Sequence, residues 1–175
     1  MSWFNVLKGA YPSLQQIDKT LDVASGVTGI VRGSLIYQDG TSFRLATAAQ
    51  ATSVTSYIYI ALQAQTQDVA GMAGSIGQGI AGGVARVTGL AIGMPFEFET
   101  DQFVVAAYTV GQLLSVANGG LLTAHSSAQN CLAQVTKTVT SRWVNNAIAV
   151  TGYRTGANVN VLTARTLWVP RLVTA

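Results

Sequence analysis

Hydrophobic and polar residues alternate with period two along most of this chain, and that pattern predicts strands. Val54 to Ala64 is the clearest case: Tyr57, Tyr59, Ala61 and Gln63 alternate with Ile58, Ile60, Leu62 and Ala64. The spacing predicts a half-buried strand, with one set facing a core. Ile30 to Tyr37 and Ser42 to Leu45 flank Gln38-Asp39-Gly40, and an Asp-Gly between two β-rich runs predicts a hairpin. Ala117-Asn118-Gly119-Gly120 joins Gln112–Val116 to Leu121–Thr123 in the same way. A further run spans Val84 to Phe98, where Pro95 demotes the centre to an edge or bend. Cys131–Val139, Ile148–Val150, Val159–Leu162 and Leu167–Val169 complete the set.

These runs predict an all-β fold: a small β-barrel or sandwich of about ten short antiparallel strands, with no βαβ unit. Gly71 to Gly83 reads as a Gly-rich loop. The first residues break the alternation. Trp3, Phe4, Val6 and Leu7 form an apolar tip, and Pro12 opens a short helix with Leu14, Ile17 and Leu21 on one face and Asp18 and Asp22 opposite. The expected division is an N-terminal arm or short helix over 1–26 and a β-domain over 27–175. That helix either packs on its own domain or belongs to an arm docking on a neighbour.

Composition narrows the function classes. Charged residues make up 10% of the 175 residues and hydrophobic ones 49%, against about 25% charged in an average globular chain. Ala, Gly and Thr supply 61 residues, so small side chains replace the usual charged surface. Disorder is excluded by this hydrophobicity, and a solvated helical bundle by the shortage of Glu, Lys and Arg. So bare a surface is a solubility hazard unless other proteins cover it.

The net charge of +3 comes from ten bases scattered singly along the chain. Nucleic-acid binding needs bases gathered into a patch, so no nucleic-acid partner is expected. Val69 to Ala85 is weakly polar but diluted by Gly and Ala, so no membrane span is expected. The single Cys131 excludes an intrachain disulfide. The N-terminus lacks the basic region of a secretory signal.

Candidate chemistry is sparse. Gly77-Gln78-Gly79-Ile80-Ala81-Gly82 fits a dinucleotide fingerprint in letters, but no strand precedes it. His125 has no acid following it in the chain, because no Asp or Glu occurs after Asp101, and no nucleophile elbow is present. Cys131 is spaced as a core residue. The chain therefore reads as a non-enzyme with no catalytic residue, cofactor or metal.

Glu97, Glu99 and Asp101 recur at i, i+2, i+4, which places three carboxylates on one strand face. That face is solvated, meets bases of a neighbour, or holds a hard cation. Phe96, Phe98 and Phe103 are expected in the core beneath it. Trp143, Tyr153, Arg154 and Trp168 gather near the C-terminus, as binding hot spots or as core anchors.

A resemblance enters with the segment Arg86 to Thr123. It contains Val87-Thr88-Gly89-Leu90-Ala91-Ile92-Gly93, Pro95-Phe96-Glu97-Phe98-Glu99-Thr100-Asp101, Tyr108-Thr109-Val110-Gly111 and Asn118-Gly119-Gly120-Leu121-Leu122-Thr123, followed by a strand at Ala128–Thr136. This pattern of strands and turns resembles tailed-bacteriophage capsid decoration proteins, also called cement or head stabilisation proteins, over Gly29 to Val139. The N-terminal segment and the aromatic-bearing tail after Arg142 depart from it.

The resemblance implies a structural protein on the outer surface of the virion capsid, assembled in the host cytoplasm. It further implies a homotrimer partnered by the major capsid protein. Expected contact residues are Trp3, Phe4, Leu7 and Tyr11 of the arm, Glu97, Glu99 and Asp101, and Trp143, Arg154 and Trp168. Another virion role, in a tail, baseplate or receptor-binding module, is the alternative.

Overall fold

A computed structural model of the chain describes residues 4–8, 18–24, 27, 30–53, 57–65, 86–91, 96–127, 129–148 and 154–173. The strands are β1 (Phe4–Lys8), β2 (Asp18–Val23), β3 (Leu35–Asp39), β4 (Ser42–Leu45), β5 (Ile58–Gln65), β6 (Arg86–Ala91), β7 (Glu97–Thr100), β8 (Leu113–Ala117), β9 (Leu121–Ala124), β10 (Gln129–Ile148) and β11 (Arg154–Val173). Among the described residues one short helix, α1 (Ala48–Thr52), lies between β4 and β5. The fold is all-β, as the alternation predicts.

The strands form two sheets. β2-β4-β3-β5-β6 close into a barrel, and β1-β7-β11-β10-β8-β9 form a six-stranded sheet. Both turn signals sit where expected. Gly40, with φ +59, joins β3 to β4, and Gly119 and Gly120, with φ +79 and +70, join β8 to β9. The run expected over Val84 to Phe98 divides into β6, in the barrel, and β7, in the other sheet. Residues 92–95 lie outside the described residues.

Two cores follow from strands buried on both faces. Inside the barrel, Ile30, Ile36, Phe43, Tyr59 and Ala61 pack together, with the Phe43 and Tyr59 rings edge to face. Between barrel and sheet, Leu35, Ile58 and Ile60 meet Phe4, Phe96, Phe98, Leu114, Leu132, Leu162 and Ala164. β5 is therefore not half-buried. Tyr59 and Ala61 fill the barrel while Ile58 and Ile60 fill the second core, because the barrel's outer wall is itself covered by the sheet.

Part of the N-terminal segment differs from its expected form. Residues 18–22 are strand, not helix: β2 pairs antiparallel with β6, and Asp22 and Val23 pair parallel with β4. Leu21 and Val23, two residues apart, pack on the barrel interior. Closing the barrel supplies the backbone pairing that an isolated short helix would lack. Residues 9–17, including Pro12, Leu14 and Ile17, lie outside the described residues. β1 pairs with β7 at the sheet edge, so the described parts of the segment contribute one strand to each sheet.

Instead of several short strands, the C-terminal part forms one long hairpin. β10 and β11 have 20 residues each and pair from Gln129↔Val173 to Ile148↔Arg154, with several register shifts. Helix α1 interrupts the strand pattern between β4 and β5. It has a capping box of Thr47 and Gln50. Asn118 Oδ1 accepts from Ala48 N at 2.9 Å, and Asn130 Nδ2 donates to the Gln50 and Ser53 carbonyls, fixing the helix to the sheet.

Candidate functional site

The carboxylate strand lies inside the six-stranded sheet, between β1 and β11. Glu97 and Glu99 share a face, as their spacing requires, but they are only 6% and 2% exposed. Their partners come from the same chain. Thr136 Oγ1 donates to Glu97 Oε1 at 2.8 Å, and Arg142 grips Glu99 through Nη2 at 2.5 Å and Nε at 3.2 Å. This two-point fork matches the planar guanidinium to the carboxylate. The hydrogen bond to Glu99, and then the carboxylate's charge, hold Arg142 above its ordinary pKa.

Glu97 lies opposite Lys8 of β1 and Arg165 of β11, and Glu99 opposite Thr163, which in turn faces Lys137 of β10. Asp101 has left the strand and is half-buried, accepting from Gln102 Nε2 at 2.6 Å. The three acids expected on one open face are therefore divided. Among the described residues no group of three or more His, Cys, Asp or Glu side chains is placed to hold a metal ion.

Arg142 marks the start of a second feature. β10 joins β8 at Ala133 and Gln134, and β11 joins β7 at Leu162–Arg165. Beyond them, Thr140 to Ile148 and Arg154 to Val161 pair only with each other among the described residues. At about 3.3 Å per residue this two-stranded ribbon runs on the order of 25–30 Å past the sheet. Thr140, Ser141, Arg142, Asn158 and Asn160 are exposed, and Trp143 is 58% exposed opposite Asn158. The fork from Arg142 to Glu99 ties the ribbon's base to the sheet.

The remaining candidates divide between core and surface. Phe4 is buried, its ring centroid 5.7 Å from that of Phe98, so part of the apolar tip is core of its own sheet. Leu7 is half-buried at the edge strand. Phe96, Phe98 and Phe103 are buried as expected. Arg154 and Trp168 belong to β11. Trp3, Tyr11, Tyr153 and the Gly71–Gly83 loop lie outside the described residues.

His125 is half-buried, with Nε2 3.0 Å from the Gln129 carbonyl. Cys131 is buried, and burial pushes its thiol pKa up. A reactive cysteine needs the opposite shift, toward thiolate. No described helix is long and apolar enough to cross a membrane. Comparison with protein-family profiles, curated proteins and solved structures finds no match for the chain.

Proposed function

We propose that this chain is a structural assembly protein, a capsid decoration protein that binds the outer surface of a tailed-phage head and bridges its capsomers. The observation that carries this reading is the β10–β11 ribbon. A two-stranded ribbon by itself is marginal in water, and among the described residues neither of its outer edges pairs with a third strand, so each can receive one. A ribbon built this way functions when a neighbouring protein covers it. The low charge of the whole chain supports the same reading, since a surface poor in Lys and Glu suits burial against other subunits.

The mechanism needs no catalytic group, cofactor or metal. Each copy buries surface across a seam between capsomers, and pulling them apart re-exposes that surface at about 25 cal/mol per Å² of apolar area. A standard interface buries about 1,200–2,000 Å² in total. In a homotrimer, three such contacts act together, so modest single contacts sum to firm attachment.

The test is addition of the purified chain to expanded heads that lack it. The expected result is saturable, stoichiometric binding and a higher head disruption temperature. A variant with Trp143–Asn158 replaced by an Asn-Gly turn should keep its own melting temperature and lose binding. Failure of the full-length chain to bind heads refutes the proposal. Binding to tails or baseplates instead assigns the chain the other virion role.

A further inference from the structure

The β10–β11 ribbon has two unlike faces. Residues directly opposite each other in a ladder lie on the same side. Thr140↔Val161 and Arg142↔Val159 therefore share one face, and Ser141↔Asn160 and Trp143↔Asn158 share the other. Burial follows that division along β11: Val161 is buried and Val159 half-buried, while Asn158 and Asn160 are exposed. The guanidinium of Arg142 belongs to the first face, where both carboxylate oxygens of Glu99 accept from it. Among the described residues the second face is left with an indole, two side-chain amides and a hydroxyl, and no formal charge.

That combination points to a ligand class. Trp143 is 58% exposed, and an indole is a broad, rigid apolar plate. Cross-strand pairing sets Asn158 about 5 Å from it, and the two-residue step sets Ser141 and Asn160 about 7–8 Å along the ribbon. Each amide carries both donors and an acceptor, and the serine hydroxyl serves as either. A β-linked pyranose of glucose configuration is the complement of this layout. Its ring C–H bonds are all axial and form a small apolar face matched to an indole, while its hydroxyls project from the rim. We infer that the Trp143 face of the ribbon binds a neutral carbohydrate, with Trp143 stacked on a pyranose ring and Asn158, Asn160 and Ser141 bonding its hydroxyls.

A protein surface fits this face less well. The centre of a protein interface is mostly apolar, and its hot-spot residues are ringed by contacts that exclude water. Here the described neighbours of Trp143 on its own face are amides and a hydroxyl, each of which a protein must desolvate and re-pair. A phosphate or sulfate ligand finds the nearest described base, Arg142, on the opposite face and engaged by Glu99. That same fork ties down the ribbon's base, so the platform loses little freedom when a ligand settles on it. The inference stands apart from the head-binding reading, which uses the ribbon's edges and leaves this face uncovered.

NMR titration of the purified full-length chain tests it, with the β-linked hexamers of glucose and of N-acetylglucosamine as probes. The indole N–H signal of Trp143 is identified by its absence in Trp143→Phe. The expected result is a saturable shift of that signal with at least one hexamer, at a Kd of about 0.1–3 mM. Trp143→Ala should weaken binding at least about tenfold and Asn158→Ala about threefold, while Trp143→Phe keeps most of it. Both Ala substitutions should leave the melting temperature nearly unchanged, because both sites are exposed. Tyr57→Ala, at a 78%-exposed tyrosine just before β5, should leave binding as it is.

The inference is overturned if neither hexamer binds up to about 10 mM, or if Trp143→Ala binds as the wild type does. Tighter binding of heparin, a sulfated chain, overturns it in favour of an anionic ligand. If neither hexamer binds and Trp143→Ala abolishes attachment to heads, the face belongs to a protein partner, and the head-binding reading stands without this inference.

Discussion

Gly120 offers a sharp test of how sheet and barrel are joined. Its amide donates to Ala46 O at 2.8 Å and its carbonyl accepts from Leu35 N at 2.7 Å, so the β8–β9 turn is bonded directly to the barrel. It holds φ +70, and a Cβ built there lies 2.5 Å from the Leu35 carbonyl oxygen and 2.8 Å from a Leu45 methyl. Gly119, beside it, holds φ +79 with nothing within 4 Å of its Cβ position. Alanine at Gly119 therefore incurs only the left-handed backbone penalty, about 1–2 kcal/mol. Alanine at Gly120 incurs that penalty and must also displace backbone, adding about 1–3 kcal/mol as overpacking does.

The expected total for Gly120→Ala is thus about 2–5 kcal/mol, which in a chain of this size lowers the melting temperature by roughly 4–20 °C. Urea unfolding of both variants measures the difference, as a fall in midpoint with an unchanged slope. Equal destabilisation by the two substitutions would refute the claim that the turn is clamped on the barrel. So would a change below about 0.5 kcal/mol at Gly120.

Two further predictions concern the core and its titratable groups. Phe98→Ala, which empties the site between the Phe4 and Phe96 rings, should cost about 3–5 kcal/mol; urea unfolding measures it, and a loss under 1 kcal/mol contradicts the shared core. Burial raises the Tyr59 and Tyr108 phenols above their ordinary 10.0 and the Cys131 thiol above 9.0. The folded chain then keeps protons that the unfolded chain has released, so stability is full below about pH 9 and falls as pH rises through 9–11. Unfolding free energies across that range check the sign, and a rise with pH refutes it. In the same buffers Cys131 should react with a thiol reagent only on unfolding.

The elements legible in the sequence are those whose signal is local. Asp39-Gly40 and Asn118-Gly119-Gly120 mark turns because a positive φ favours glycine and asparagine wherever the chain lies. The alternation of β5 gives its direction and its two faces, but burial of both faces depends on a sheet brought from elsewhere in the chain. Leu21 illustrates the same limit. Its spacing from Leu14 and Ile17 suits a helix, while the pairing with β6 that makes it a strand comes from more than sixty positions away.

The sequence pattern divides the long hairpin into short strands for a related reason. Apolar residues recur at Leu132, Val135, Leu162 and Ala164, where the hairpin touches the shared core. The ribbon between them is rich in Thr, Ser and Asn and lacks that period. At the candidate site, the two-residue spacing of Glu97 and Glu99 correctly gives them one face. Their burial was not legible, since it depends on Arg142 and Thr136 reaching across from β10. Thr47 and Gln50 did carry a capping-box signal for α1, although a helix of five residues leaves little further periodicity to read.

The proposed function has this chain covering a phage head in many copies. Its copy number in purified particles made by the genome that encodes it, counted by quantitative mass spectrometry against the shell protein, tests that claim most directly. The account predicts a fixed, near-stoichiometric ratio to the shell protein. A handful of copies per particle, or none, would contradict it.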